Sequence, residues 1–192
     1  GRAPANRRAL FYVLAREGPL GQNRENVRQE SPTMTEFRKT TCTPPAPEGW
    51  SMFEGRSGYI DHNGPLWHRL DENGELLLGM RIEERHCNPR HVGHGGWLMS
   101  FADMMLPMAS HKHPKVGRQF LPTVSMSTDF LAPVPLGCWL WGRTQVLRVT
   151  RNLVFSQGLI YADDTLVLRV NGVFKMGVPI DKLVGDADSA TP

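Results

Sequence analysis

The chain has 192 residues, 40% of them hydrophobic and 21% charged, with 22 Lys and Arg set against 19 Asp and Glu. That length suits one domain with loose ends and a sizeable core, and the interspersed charges exclude the clustered basic footprint of a nucleic-acid binder. Three cysteines, Cys42, Cys87 and Cys138, are too few and too scattered for a disulfide framework and point to a reducing, cytoplasmic compartment.

Residues 1–33 carry six Arg against three Glu and one short apolar patch, Ala9 to Ala15. Arg7 and Arg8 precede that patch in the manner of a secretory signal. Yet the patch ends at Arg16, at the lower limit of length, and no small-residue cleavage site follows. No run of about twenty apolar residues suggests a membrane span anywhere in the chain. Pro44, Pro45 and Pro47 mark a linker. Residues 1–48 are therefore expected to be a poorly ordered leader and linker, with Met34 a candidate natural start. The domain is expected to span 49–180, with a disordered tail at 181–192.

Trp50 to Phe53 read as a short helical or irregular lid. A hairpin follows, Leu66 to Leu70 and Glu75 to Met80, around Asn73-Gly74, a pair suited to the positive φ angles of tight turns. The second arm is expected to continue as a strand from Leu76 to Cys87, alternating weakly through Met80, Ile82 and Glu84.

From His94 the period changes. Trp97, Leu98, Phe101, Met104, Met105 and Met108 recur at three- and four-residue intervals, one apolar helical face. Met99, Ala102, Leu106 and Ala109 occupy the other side, so the helix is expected to be buried nearly all round, with Pro107 kinking it or marking its last turn. Four strands follow: Thr123 to Leu131, Cys138 to Thr150, Leu153 to Tyr161, and Thr165 to Met176. The turn 132–137 and two short links join them, and short links imply antiparallel neighbours in a meander. One buried helix followed by such strands predicts an α+β fold, an antiparallel sheet wrapped around a central helix.

Candidate chemistry lies between His86 and Asp103. Gly95 and Gly96 open the helix, where a backbone without side chains approaches a ligand closely and the first N–H groups lack helical partners. Those donors, with the positive end of the helix dipole, suit an oxygen gaining negative charge. A plain tight turn beneath the sheet would use the same glycines. Asp103 sits seven residues beyond Gly96, about ten ångströms along the axis, too far to cap its own helix. A buried carboxylate must reach a donor or line a cavity, and a structural bond to a strand or to another subunit would also serve.

The string Asn88, His94-Gly95-Gly96 and Ser100-Phe101-Ala102-Asp103 resembles the signature of hotdog-fold acyl-CoA thioesterases of the phenylacetate-pathway, PaaI-like type. The Asn-to-His and His-to-Asp spacings agree, and the resemblance covers roughly residues 57–177. It implies that the Gly95 N–H stabilises the thioester oxyanion and that Asp103 is general base or nucleophile. Asn88 would hold the carbonyl or the attacking water, His94 would orient the turn, and Thr123, ten residues before Pro133, would hold the water or Asp103. Gly96 and Trp97 would contact substrate. The resemblance further implies acyl-CoA as substrate and no cofactor beyond the coenzyme A it carries. A homo-oligomer, dimer or dimer of dimers, would build its sites at the subunit interface. Arg90 and His91 depart from the pattern, in a loop where more variable sequence is expected.

Other residues carry weaker readings. His86, His91, His94 and Cys87 fit no standard zinc spacing, so no metal site is expected. Cys87 reads as an inert thiol, Trp139 and Trp141 as one face of a strand in the core or at a subunit contact. Lys112, Lys115 and Arg118 form a solvated basic loop that would alternatively meet coenzyme A phosphates. Two other functions compete with the thioesterase: a non-catalytic acyl-CoA-binding sensor, for which residues 1–33 lack a convincing helix-turn-helix, and a hotdog acyl dehydratase, against which the His-Gly-Gly to Asp spacing speaks.

Overall fold

The structure, a computed structural model, describes residues 46–54 and 58–182. The expected leader, Met34, Cys42 and all but the first two residues of the expected tail lie outside the described residues. In chain order the elements are β1 (Ser51–Met52), α1 (Gly58–Asn63), β2 (Trp67–Leu70), β3 (Leu76–Arg81), α2 (Gly95–Ser110), β4 (Thr123–Phe130), β5 (Trp139–Val149), β6 (Leu153–Ala162) and β7 (Thr165–Lys175). The strands form one antiparallel seven-stranded sheet in the order β1-β2-β3-β5-β6-β7-β4, and α2 packs on one face. This is the hotdog arrangement, α+β, with the long helix held by the curved sheet.

Local chemistry explains most of the boundaries. The hairpin closes with Leu70 opposite Leu76, Gly74 takes a φ of +76°, and Asp71 Oδ1 accepts the N–H groups of Asn73 and Glu75 at 2.9 Å each. Along β6 burial alternates strictly: Val154, Ser156, Gly158, Ile160 and Ala162 face the helix, the period-two pattern of a sheet covered on one side. Phe101, Ala102, Met105 and Leu106 of α2 are fully buried and share the core with Leu78, Leu140, Ile160, Leu168, Val170 and Phe174. At Gly158 a Cβ would stand 2.6 Å from Met105 Cε. The missing side chain is what lets α2 lie this close to the sheet.

Several expectations are corrected. Ser51 and Met52 pair with His68 and Trp67, so the segment 50–53 contributes an edge strand rather than a lid. The strand from Leu76 stops at Arg81 instead of Cys87, because the chain turns through a 3-10 segment at Glu84–His86. That turn is stabilised by the Glu83 N–H donating to His86 Nδ1 at 2.9 Å and the His86 N–H donating to the Glu83 carbonyl at 2.9 Å. The helix is not buried all round: Met99 is 37% exposed, and Asp103, Met104, Pro107 and Met108 are half-buried.

The meander also needs amendment. β4 does not pair with β5; it lies beyond β7 at the far edge of the sheet. Residues 131–138 make a crossing rather than a hairpin, tied down by Gly93 N–H to the Val134 carbonyl at 2.7 Å and Gly137 N–H to the Ile82 carbonyl at 2.9 Å. Trp139 is buried against Trp50 and Trp67 by edge-on ring contacts, not against the helix, while Trp141 stacks on Tyr161.

Candidate active site

His94 is the cap of α2. Its backbone is extended, with φ −67° and ψ 130°, and its Nδ1 accepts the Gly96 N–H at 3.1 Å. One orphan donor of the helix start is thereby satisfied by a side chain. Among the described residues the Gly95 N–H has no hydrogen-bond partner. The Phe130 ring lies beside this glycine, 3.4 Å from where a Cβ would be. Among the described residues the helix thus opens with the Gly95 and Trp97 N–H groups unpartnered at its positive end, and an aromatic ring lies beside Gly95.

Asn88 organises the loop that leads to this point. Its Oδ1 accepts the Arg90 N–H at 2.9 Å, its N–H donates to the Val92 carbonyl, and its carbonyl accepts from His91. With the oxygen engaged, the two N–H bonds of the side-chain amide remain as donors. His91, at a φ of +55°, is drawn to Glu84, Nδ1 to Oε1 3.0 Å. That pairing gives the departing His91 a place in the loop.

Asp103 is half-buried, two turns further along α2. Thr123, first residue of β4, donates its hydroxyl proton to Asp103 Oδ1 at 2.6 Å. The bond fixes Oδ1, and among the described residues Oδ2 has no hydrogen-bond partner. Pro107 stands four residues on within the helix; having no N–H, it leaves the Asp103 carbonyl without its usual helical donor.

The remaining expected residues fall elsewhere. Trp97 is buried, stacked between His86 at 4.2 Å and Phe101 at 6.3 Å. His86 is only 1% exposed. Burial first, and the Arg85 guanidinium second, push its pKa down to about 4, against the opposing pull of the Asn63 carbonyl. Since Nδ1 accepts from Glu83, Nε2 carries the proton and donates to Asn63 at 3.0 Å. Burial, then Glu84, raise the Cys87 thiol, and Cys138 is pushed up to about 12, the behaviour of inert rather than nucleophilic sulfur. Among the described residues no three His, Cys, Asp or Glu side chains converge as a metal site. Of the basic loop, Arg118 is exposed and pairs with Asp181 at 3.4 Å.

Sequence reasoning missed α1 and its contact with α2. Tyr59 donates its hydroxyl to Ser100 Oγ at 2.7 Å, and Ser100 donates to the Gly96 carbonyl at 3.2 Å. The signal for α1 was faint, since six residues with none buried carry no apolar period.

A Pseudomonas aeruginosa protein provisionally named an esterase is 32% identical over 132 residues, 68% of this chain and 96% of the relative. The profile described as Thioesterase superfamily matches residues 91–168, from the loop after Asn88 into β7. The chain belongs to the thioesterase superfamily. Among solved structures, a mutant of the phenylacetic acid degradation protein PaaI from Thermus thermophilus matches with a TM-score of 0.54 at 20% identity, covering 62% of this chain and 99% of that one. A Bacillus halodurans protein solved with CoA matches with a TM-score of 0.50 at 21% identity, covering 57% and 72%. These likenesses place the thioesterase-superfamily chain in the same fold as PaaI. Among the described residues no helix is long and apolar enough to cross a membrane.

Proposed function

We propose that this protein is an acyl-CoA thioesterase, hydrolysing an acyl-coenzyme A thioester to a carboxylic acid and free coenzyme A. The observation that carries the reading is the Thr123 to Asp103 hydrogen bond at 2.6 Å, which fixes a carboxylate on the open side of α2 with one oxygen left to act. A water oxygen attacks the thioester carbonyl carbon while Asp103 takes its proton. The carbonyl oxygen becomes an oxyanion on the Gly95 N–H, which the helix start leaves without another partner. Asn88, its side-chain oxygen held by Arg90, directs its amide N–H bonds to the carbonyl or the water. The tetrahedral intermediate expels the coenzyme A thiolate, which recovers the proton from Asp103. Each step uses protein groups and water, so the reading includes no metal or prosthetic group.

The groups in question belong to two copies of the chain in this reading. Asp103 lies eight residues beyond Gly95, about 12 Å of helix rise, too far for both to serve one carbonyl carbon. β4 is an edge strand whose first residue touches Asp103 and whose last residue lies beside Gly95. Its flanks carry Val124 at 60% and Phe130 at 52% exposure. Unpaired edges of this kind pair with another chain. Two β4 strands joined antiparallel about a two-fold axis put Thr123 of one copy opposite Phe130 of the other. Asp103 of one copy then approaches Gly95 and Asn88 of its partner. Cys87 and Cys138 as free thiols agree with a cytoplasmic location.

The test is release of free thiol from short, long and aromatic acyl-CoA thioesters by the purified protein, beside Asp103→Asn. Turnover by the wild type and its loss in the variant are expected. Tight binding of acyl-CoA without thiol release would replace this reading by that of a non-catalytic acyl-CoA sensor.

A further inference from the structure

The thioesterase mechanism makes no use of Tyr59, yet this residue is held over the helix face that carries the chemistry. Its hydroxyl donates to Ser100 Oγ at 2.7 Å. Ser100 lies three residues before Asp103 and four after Gly96, so all three share one side of α2. The latch is secured from both ends. Ser100 is itself tied to the Gly96 carbonyl at 3.2 Å. The far end of α1 is bolted to the core, where the buried His86 Nε2–H donates to the Asn63 carbonyl at 3.0 Å and Arg85 donates to the Gly64 carbonyl.

A tyrosine tied at its hydroxyl and at its backbone still leaves 54% of its surface exposed. A ring whose role was packing would be expected to bury that surface, for aromatic side chains contribute to a core chiefly through area removed from water. Met99, on the same turn as Ser100, is likewise exposed at 37%. Through Ser100, Tyr59 thus stands on the side of α2 that carries Gly96 and Asp103, with the exposed Met99 one residue from Ser100.

We propose that Tyr59 is a specificity-determining residue: its ring, latched by Ser100, closes the acyl channel and selects compact acyl groups, short or aromatic, over long chains. The inference rests on the thioesterase reading and deepens it. Pockets of this kind discriminate between chain lengths by apolar contact and by steric exclusion, each worth modest factors per methylene that compound along a chain.

The experiment measures kcat/KM for wild type, Tyr59→Ala, Tyr59→Phe, Ser100→Ala and Asp103→Ala over a series of acyl-CoA thioesters from acetyl to decanoyl, with phenylacetyl-CoA. Tyr59→Ala is expected to raise the decanoyl-to-butanoyl ratio roughly tenfold or more. Tyr59→Phe and Ser100→Ala keep the ring but release the latch, and both should shift the ratio in the same direction by less. A latch that merely holds α1 in place would scale all substrates together, leaving the ratio fixed. An unchanged ratio in Tyr59→Ala, with Asp103→Ala inactive, overturns the assignment of Tyr59 and leaves the thioesterase standing. No thiol release by wild type from any thioester overturns both.

Discussion

The Thr123 hydroxyl donates to Asp103 Oδ1 at 2.6 Å across twenty residues of sequence, joining the first residue of an edge strand to the middle of the long helix. A hydroxyl donor of this kind steadies the charged carboxylate and fixes its direction. In the proposed mechanism, replacing Asp103 by Asn removes the base while keeping shape, and kcat should fall by about 10²- to 10⁴-fold. Thr123→Ala should lose less, roughly tenfold, and Thr123→Ser should recover most of that because it restores the donor. Steady-state thiol release checks all three, and a Thr123→Ala enzyme with unaltered kcat would remove Thr123 from the mechanism.

The free N–H of Gly95 can be deleted almost alone. Proline is favoured at the first position of a helix, where its missing N–H breaks no helical bond. It also asks the preceding residue to be extended, which His94 already is at φ −67° and ψ 130°. Gly95→Pro should therefore keep the fold and lose about 10²- to 10³-fold in kcat, the usual effect of removing one oxyanion donor. Gly95→Ala retains the N–H and controls for contact with Phe130. Equal losses in the two variants would show that bulk, not the donor, is responsible.

A site shared between copies is open to complementation. Asp103→Ala and Asn88→Ala chains are each expected to be inactive alone. When the two are unfolded and refolded together, a mixed dimer holds one intact site and one doubly defective site. Random pairing should then restore roughly a quarter of wild-type activity. Activity that stays at the level of the separate variants would contradict the shared site, and sedimentation of each sample verifies that dimers formed.

The buried His86 makes a prediction about stability rather than catalysis. Its pKa is about 4 in the folded chain against an ordinary 6.5, so the unfolded chain binds the proton more readily. Stability should be full above about pH 6.5 and decline as the pH falls towards 4, by at most about 3 kcal/mol. Urea unfolding of wild type and His86→Gln at pH 7 and pH 5 measures the difference. The variant should be less stable at pH 7, having lost the ring stacked on Trp97 at 4.2 Å, and should show the shallower decline. Parallel declines would assign the pH dependence to other groups.

Much of the fold was legible in the order of residues, because local periods are imposed by local geometry. The three- and four-residue recurrence of Trp97, Leu98, Phe101 and Met105 marks a helix wherever its partners lie, and the Asn73-Gly74 pair marks the hairpin between β2 and β3. His94, Gly95 and Gly96 likewise form a cap from nearest-neighbour chemistry. The family resemblance and its spacing were readable for the same reason, since Asn88, Gly95 and Asp103 sit within one short stretch.

Tertiary structure decided what depends on distant pairing. Short links suggested that β4 would pair with β5, but a crossing over the start of α2 carries it to the far edge, beside β7. That placement alone sets Thr123 against Asp103 and Phe130 against Gly95, and among the described residues it leaves β4 at an edge of the sheet. The strand ending at Arg81 and the small helix that brings Tyr59 to Ser100 were equally hidden. Their stability comes from contacts twenty or more residues away, His86 with Asn63 and Tyr59 with Ser100, to which no local period points. The sequence thus determined which groups exist and which elements carry them; the tertiary structure decided which face of each is open and what stands opposite.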